Sequence, residues 1–447
     1  MGQSFLEFAK TGLYKAKQCG AEHAELFVMK SRSFEAELKQ DKIDELKQSE
    51  SNGVGLRVIK NGKQGFSFSS DFRATALDKM VTQAVTNSQY SDKDTDLHFP
   101  MQYPKYPQPD FYDGTIGKLS LDEKLDLTRE VTRCAQAYDT RVHMVERSCY
   151  EEGEVEMWLA NSNGVYLHQL GNYCGLACLA LGESQGEMQS GYGMDSHVRY
   201  GDLSAKRAGE MAAKRAVQLL GAKQIDSGVM DLVLDPLIAT QIMGIISSCF
   251  SGEAVRKNKS FLAGKLGEVV SSKKLTIVDD GTLQYQLGSA SFDGEGVPMQ
   301  RTVLLEQGVL KNYLYDSLSA KKAGVASTGN GMRGGYKGTP HIGTTNYYVE
   351  AGTDTTEQMI GSIEKGLYVT DIMGAHTANP ISGDFSFGAS GIMIEHGKLT
   401  HPVRGITVAG NFQQLLQKIS GVGNEVVFYG GQGAPVICIS DIAVSGK

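Results

Sequence analysis

The chain has 447 residues, 41% of them hydrophobic and 21% charged, with a net charge of −7 and a pI near 5.8. That length suits roughly two to three domains with a sizeable core, and the acidic balance excludes a protein whose main work is neutralising nucleic-acid phosphates. Fifty-three glycines beside only ten prolines exclude collagen and Pro-rich disorder, and point to many turns between short strands.

The start, Met1-Gly2-Gln3-Ser4-Phe5, lacks a basic region followed by a long apolar run, so no secretory leader is expected. Gly2 looks like a myristoylation start, but Phe5-Leu6 continues into a helix. No apolar run approaches the ~20 residues of a membrane span. Seven cysteines (Cys19, Cys134, Cys149, Cys174, Cys178, Cys249, Cys438), mostly in apolar surroundings, read as free thiols in a reducing cytoplasm. The one basic patch, Arg256-Lys257 with Lys259, reads as a solvated loop.

Residues 3–20 form a helix with Phe5, Phe8, Leu13 and Ala16 at helical spacing. Ala24 to Leu38 alternates as a strand or hairpin. Val54–Ile59 and Gly65–Phe68 flank Asn61-Gly62, a type I′ hairpin signal. Asp71 is placed to cap the next helix, whose apolar face is Leu77, Met80, Val81, Ala84 and Val85. Tyr103 to Pro109 reads as an extended connector. Ser120-Leu-Asp-Glu123 is a capping box opening a helix to about Tyr138. Strand runs follow at 142–149, 154–160 and 165–182, then a helix at 202–220 with Ala205, Ala208, Ala212, Ala216 and Leu219 on one face.

A boundary near Asp226-Ser227-Gly228 divides the chain into 1–225 and 226–447. The second part restarts with strand Val229–Leu234 and a helix opened by Asp235-Pro236 that runs to about Cys249. From 275 onward strands dominate, with hairpin turns at Glu306-Gln307-Gly308 and His396-Gly397 and short helices at 316–323, 355–364 and 411–419. The expected class is α+β: two domains, each a largely antiparallel sheet with flanking helices, the C-terminal one strand-rich.

The stretch Met373 to Asn411 holds His376, His396 and His401 and is dense in glycine and small polar residues between apolar strands, so it reads as a functional loop. No catalytic centre emerges from the residues alone. No histidine is followed by glutamate, so the helical zinc motif H-E-x-x-H is missing. His396 and His401 stand five apart across a hairpin. Gly329-Asn-Gly-Met-Arg-Gly334 matches G-x-G-x-x-G, but no strand precedes it and no helix follows, so it reads as a loop. Ser386 or Ser390 near His376 could make a dyad, yet the nucleophile elbow G-x-S-x-G is missing.

Several segments are similar to the TldD/PmbA (TldE) family, proteins once called modulators of DNA gyrase. They are Gly53-Val-Gly-Leu-Arg-Val58 with Gly65-Phe66, Asn161 to Gly164, Leu219-Leu-Gly-Ala222, Ser260-Phe-Leu-Ala-Gly-Lys-Leu-Gly-Glu268, Leu275-Thr-Ile-Val-Asp-Asp280, and Gly383-Asp-Phe-Ser-Phe-Gly-Ala-Ser-Gly391. The resemblance spans nearly the whole chain. It implies two branches. TldD-type members carry H-E-x-x-x-H on the helix opening the second domain, with a cysteine near the C-terminus as third zinc ligand. They are metallopeptidases acting on small or unfolded peptides. PmbA/TldE-type members lack the motif and pair with a TldD-type chain.

Here the ligand positions fall near Met243, Gly244 and Ser248, and the cysteine position near Phe428 or Tyr429, while Cys438 belongs to the core. Met243, Gly244 and Ser248 cannot ligate zinc usefully. The resemblance therefore implies a PmbA/TldE-like subunit that binds no cofactor itself, with zinc in the partner chain. The expected partners are a TldD-type chain, or a second copy in isolation, and small or unfolded peptides, but no nucleic acid and no membrane. His376, Asn379, Asp384, Ser386, Gly388 and Ser390 are the candidates for a substrate chamber or a dimer interface. Tyr347-Tyr348 or Ile392-Met393-Ile394 could offer a strand edge to a peptide. The alternatives are an autonomous hydrolase with an unrecognised site and a non-catalytic regulator binding a protein target.

Overall fold

A computed structural model describes residues 2–447, with side chains from Phe5 onward. Met1 and the side chains of residues 2–4, on which the leader and lipid-anchor readings fall, lie outside the described residues. The first half runs α1 (Gly2–Gln18), β1 (His23–Lys39), β2 (Lys42–Lys60), β3 (Lys63–Ser69), α2 (Ala74–Asn87), α3 (Leu121–Tyr138), β4 (Val142–Asn161), β5 (Tyr166–Ser184), β6 (Glu187–His197) and α4 (Ala205–Val217). The second half begins with β7 (Gly228–Leu234), α5 (Pro236–Ser247), α6 (Gly252–Arg256), β8 (Ile277–Asp280), β9 (Arg301–Glu306), β10 (Val309–Leu310), α7 (Ser317–Ala323), β11 (Gly331–Met332), β12 (His341–Ile342) and β13 (Tyr347–Val349). It ends with α8 (Thr356–Gly361), β14 (Lys365–Met373), β15 (Asp384–Glu395), β16 (Lys398–Asn411), α9 (Phe412–Gln417), β17 (Ile419–Val422), β18 (Val427–Tyr429), β19 (Gln432–Ala434) and β20 (Ile437–Ser445). The class is α+β, as the sequence leads one to expect.

The first half is one antiparallel sheet in the order β3-β2-β1-β4-β5-β6. Side chains alternate across it. Ala24, Leu26, Val28, Ala36 and Leu38 of β1 face the helices. Glu25 and Phe27 point the other way. The alanine stripe of α4 lets that helix lie close on β5 and β6. A Cβ at Gly191 or Gly193 would stand 2.2 or 2.1 Å from the carbonyl oxygens of Ala212 and Ala208.

The second half carries a sheet in the order β10-β9-β8-β13-β19-β18 and another in the order β16-β15-β14-β7-β20-β17. Pairing of β16 with β20 closes the latter into a barrel of β16, β15, β14, β7 and β20. All pairings are antiparallel except β14 with β7 and β13 with β19. Phe385, Phe387 and Phe412 stack in the core, with neighbouring centroids 4.8 Å apart.

Several details differ from expectation. The runs 142–149 and 154–160 fuse into β4, bulged near its start, and β6 was not anticipated. Asp71 does not cap α2. Its carboxylate accepts from the backbone N–H of Arg73 at 2.9 Å, and Arg73 is the N-cap residue, whose side chain makes no capping bond. Met373 to Asn411 is mostly not a loop: residues 384–411 form the β15–β16 hairpin, leaving only 374–383 irregular. The peptide edges proposed from sequence are also interior. Tyr347 and Tyr348 lie in β13 between β8 and β19, and Ile392–Ile394 in β15 between β14 and β16.

The two halves meet through buried charge. On the helix-free face of the first sheet, Arg57 Nε donates to Glu25 Oε1 at 2.9 Å and Arg57 Nη2 to Glu25 Oε2 at 3.0 Å. Arg57 Nη2 also reaches Glu295 Oε1 at 3.4 Å. Arg333 pairs with Glu25 from the second half, and both side chains are at most 1% exposed. Asp293 lies beside them, its carboxylate accepting from the N–H groups of Glu295, Val297 and Gly331. Tyr336 docks on the same face over Gly53, where an added Cβ would stand 2.2 Å from the ring. So the G-N-G-M-R-G segment, read from sequence as a plain loop, is an anchor between halves.

Candidate functional site

Helix α5 opens at Asp235, whose Oδ1 accepts from the Leu237 N–H at 3.1 Å, with Pro236 at the first helical position. Ile238, Ala239, Ile242, Met243 and Ile246 give it a buried face. It packs against β13, β14, β18 and β19. The sequence resemblance puts a zinc motif on this helix, so these positions are the ones to test. Met243 is buried in the apolar core. Gly244 faces Gln432, whose Oε1 would stand 2.5 Å from a Cβ at that position. The amide end of Gln432 would therefore have to swing aside for any side chain at 244. The hydroxyls of Ser247 and Ser248 donate to the helix carbonyls of Gly244 and Ile245 at 2.7 and 3.1 Å.

Phe428 packs on the ring of Tyr348 with centroids 5.5 Å apart. Tyr429 is a phenol pushed up by burial and by Asp235. Cys438 sits in the core, its sulfur accepting from Ser420 at 3.4 Å. Among the described residues no group of three or more His, Cys, Asp or Glu could hold a metal ion. The donor set does not fit zinc.

The segment 374–383 lies over the end of α5. The carbonyl of Pro380 accepts from the N–H of Phe261 at 3.2 Å and faces Cys249 Sγ at 3.5 Å. Of the six candidates, Asp384, Ser386, Gly388 and Ser390 alternate on one face of β15, opposite the stacked phenylalanines. The outer two, Asp384 and Ser386, are exposed, and Ser390 is buried. Asn379 and Asp384 shape the loop. Asn379 Oδ1 accepts from the N–H groups of Ile381 and Ser382 at 2.9 and 3.3 Å. Asp384 Oδ1 accepts from Asn411 Nδ2 at 2.8 Å, which holds its carboxyl below the usual range.

His376 is exposed and, among the described residues, bonds to neither Ser386 nor Ser390, so no dyad forms. The nearest link is Thr377, whose hydroxyl donates to the Ser386 carbonyl at 3.2 Å. His396 pairs with Glu364 and His401 faces Glu395, so these two histidines do not converge.

Two edge strands, β6 and β18, border a cleft of about 360 Å³. Its walls include Asp195, His197, Arg207, Tyr285, Phe428 and Tyr429. Arg207 grips Asp195 through two bonds of 2.8 and 3.0 Å, and His197 Nε2 lies 3.1 Å from Asp195 Oδ1. Burial raises the Asp195 carboxyl, but the bonds from His197 and Arg207 outweigh it and hold the group below its ordinary range. Sequence reasoning missed this cluster because it missed β6. The available signal was the alternation Asp195-Ser-His197 after a Gly-rich strand.

Comparisons with known proteins add an independent result. The family models for PmbA/TldA metallopeptidase domain 1, central domain and C-terminal domain match residues 24–88, 114–220 and 227–446. An uncharacterized protein of Methanocaldococcus jannaschii is 31% identical over 88% of this chain and 90% of its own. The metalloprotease TldD homolog of Haemophilus influenzae is 30% identical over 83% and 79%. The metalloprotease PmbA of Escherichia coli O157:H7 is 25% identical over 90% and 88%. A Thermotoga maritima protein, a supposed modulator of DNA gyrase, superposes with a TM-score of 0.90 at 30% identity, covering 99% of this chain and 100% of that one.

Proposed function

Because this chain belongs to the PmbA/TldD metallopeptidase family, we propose that it is a PmbA/TldE-type subunit of a two-chain peptidase acting on small or unfolded peptides. A TldD-type partner supplies the zinc. The observation that carries this reading is the end of α5: Met243, Gly244 and Ser248, near which the resemblance puts the three motif positions, offer no ligand set, and the Gln432 amide lies beside Gly244. A zinc hydrolase needs the ion to lower the pKa of its water and polarise the scissile carbonyl. These residues cannot hold it.

In this reading the chain contributes walls to the substrate chamber. Segment 374–383 with the outer face of β15 forms one, from His376 and Asn379 through Asp384, Ser386 and Gly388 to Ser390. The β6–β18 cleft, bordered by strand edges, forms another, since extended peptides bind by adding a strand to an edge. The seven unpaired cysteines favour a cytoplasmic location. The division at 225/226 fits a chain whose first sheet holds β1–β6 and no strand of the second half.

The test is hydrolysis of an unfolded peptide by this chain alone, by a TldD-type chain alone, and by the two together. Turnover is expected to be negligible for this chain alone and largest for the mixture. In the mixture, Ser386→Trp and Gly388→Leu are expected to lower turnover at least about tenfold, or ~1.4 kcal/mol. Unchanged turnover and unchanged pairing in both variants would remove the β15 face from the chamber. Peptide hydrolysis by this chain alone would overturn the subunit reading.

A further inference from the structure

The helices cover the first sheet unevenly. Along β1 the side chains on the helix side include Val28, Lys30, Arg32 and Phe34. Val28 packs in one cluster with residues of α1 and α2, and Phe34 packs with Leu125 of α3. Between these helices the sheet is open: Lys30 is half-buried and Arg32 exposed. On the α1 side of that gap lies a pocket of about 380 Å³, within the range of small-molecule sites.

The pocket has an apolar body and one polar end. Val28 stands opposite Trp158 in the β1–β4 pairing, and the two form the floor. Phe5 and Phe8 of α1 and Phe72, just ahead of α2, supply the walls. Phe5 lies 5.6 Å from Trp158 between ring centroids, and Phe8 lies 5.4 Å from Phe72. Two residues beyond Val28, Lys30 stands opposite Asn52 of β2, which brings an ammonium and an amide to one end of the pocket. The Lys30 ammonium lies 5.6 Å from the centre of the Trp158 ring. Glu156, the other neighbour of Lys30, is approached by His168 Nε2 at 3.0 Å and lines an adjoining cleft instead. Among the described residues Lys30 is therefore the one charged side chain that lines this pocket.

We propose that this pocket binds a small carboxylate bearing an aromatic ring. The ring lies among Phe5, Phe8, Phe72 and Trp158, where edge and face contacts between rings are available. The carboxylate meets Lys30 and Asn52, which both bring N–H donors. One ammonium and one neutral amide match a single negative charge and disfavour a cation. The chemistry is that of a free aryl-alkanoic acid, or of a peptide ending in phenylalanine. The site is apart from α5 and β15, and it does not rest on the peptidase reading.

Trp158 is the only tryptophan of the chain, so its emission reports this pocket directly. The full-length chain at pH 7 is titrated with 4-phenylbutyrate, with 4-phenylbutanol as the uncharged control. The acid is expected to change the emission saturably with a Kd below about 1 mM, and the alcohol to bind at least about fivefold more weakly. Lys30→Met keeps the apolar stem of the side chain and removes the charge, and is expected to weaken the acid at least about fivefold while leaving the alcohol within about twofold. An unchanged melting temperature certifies the fold of that variant. N-acetyl-alanyl-phenylalanine and its C-terminal amide distinguish the two sources. A peptide acid that binds more tightly than 4-phenylbutyrate and loses affinity as the amide upholds the proposal with a chain end as ligand, and a weaker peptide acid upholds it with a free acid. No saturable change in the wild type, an alcohol that binds as tightly as the acid, or an acid indifferent to Lys30→Met would each overturn the proposal.

Discussion

Glu25→Gln is expected to lower the unfolding free energy by about 3–5 kcal/mol, the cost of removing one partner from a buried ion cluster. Among the described residues Glu25 is the only carboxylate that touches both Arg57 and Arg333, and all three side chains are nearly inaccessible to water. Without its charge, two guanidinium groups remain buried against Glu295 alone, reached by Arg57 at 3.4 Å. Each cation also lies over a ring, Arg57 over Phe99 at 4.9 Å and Arg333 over Phe27 at 4.7 Å. That contact softens the loss without replacing a carboxylate. Arg129→Ala, at the exposed pair with Asp126, is the comparison and should cost less than about 1 kcal/mol. Urea unfolding at pH 7 reads both.

The same cluster sets a dependence on pH. Burial, reinforced by the neighbouring Glu295, pushes the Asp293 carboxyl up to about 8. An unfolded aspartate titrates near ~3.9. Between those values the folded state holds a proton that the unfolded state has lost, so stability falls as pH rises from about 4 to 8. Asp293→Asn should flatten that part of the profile. Glu25 acts in the opposite sense. Burial raises its carboxyl, but Arg333 and Arg57 together outweigh burial and hold it low, so its contribution is lost on acidification.

The second large effect is expected at Gly244. Gly244→Glu, which restores the acid of the family's motif, should destabilise the chain by about 1–3 kcal/mol. The new side chain must displace Gln432, which stands 2.5 Å from where its Cβ would be. Gly244 and Gln432 are both only half-buried, so the carboxylate would be partly desolvated. Adding Gln432→Ala opens that space and should recover about half the loss. Full recovery would mean that crowding alone keeps glutamate out, and no recovery that desolvation of the charge dominates. Denaturant midpoints of the two variants separate these terms.

Much of the fold is legible in local pattern. Asn61-Gly62, Gln307-Gly308 and His396-Gly397 all turn hairpins with positive φ at both residues. The capping box at Ser120 and the alanine stripe of α4 place their helices correctly. What misleads is composition. Residues 383–391 look like a loop because they are glycine and small polar, yet Phe385, Phe387 and Ala389 alternate with Asp384, Ser386 and Gly388, and that period of two is a strand. The charge cluster was hidden for another reason. Glu25 and Arg333 are 308 positions apart, and no periodicity links residues across separate sheets. The same holds at α5. The resemblance points to the neighbourhood of Met243, Gly244 and Ser248, but not to the Gln432 amide beside it.

The central claim is that this chain holds no zinc of its own. The most direct test is the metal content of the full-length chain, purified alone and without chelators, by elemental mass spectrometry. The account predicts fewer than about 0.1 zinc ions per chain, since Met243, Gly244 and Ser248 supply no ligand set. A value near one per chain would contradict it, and would mean that these positions do not mark the metal site.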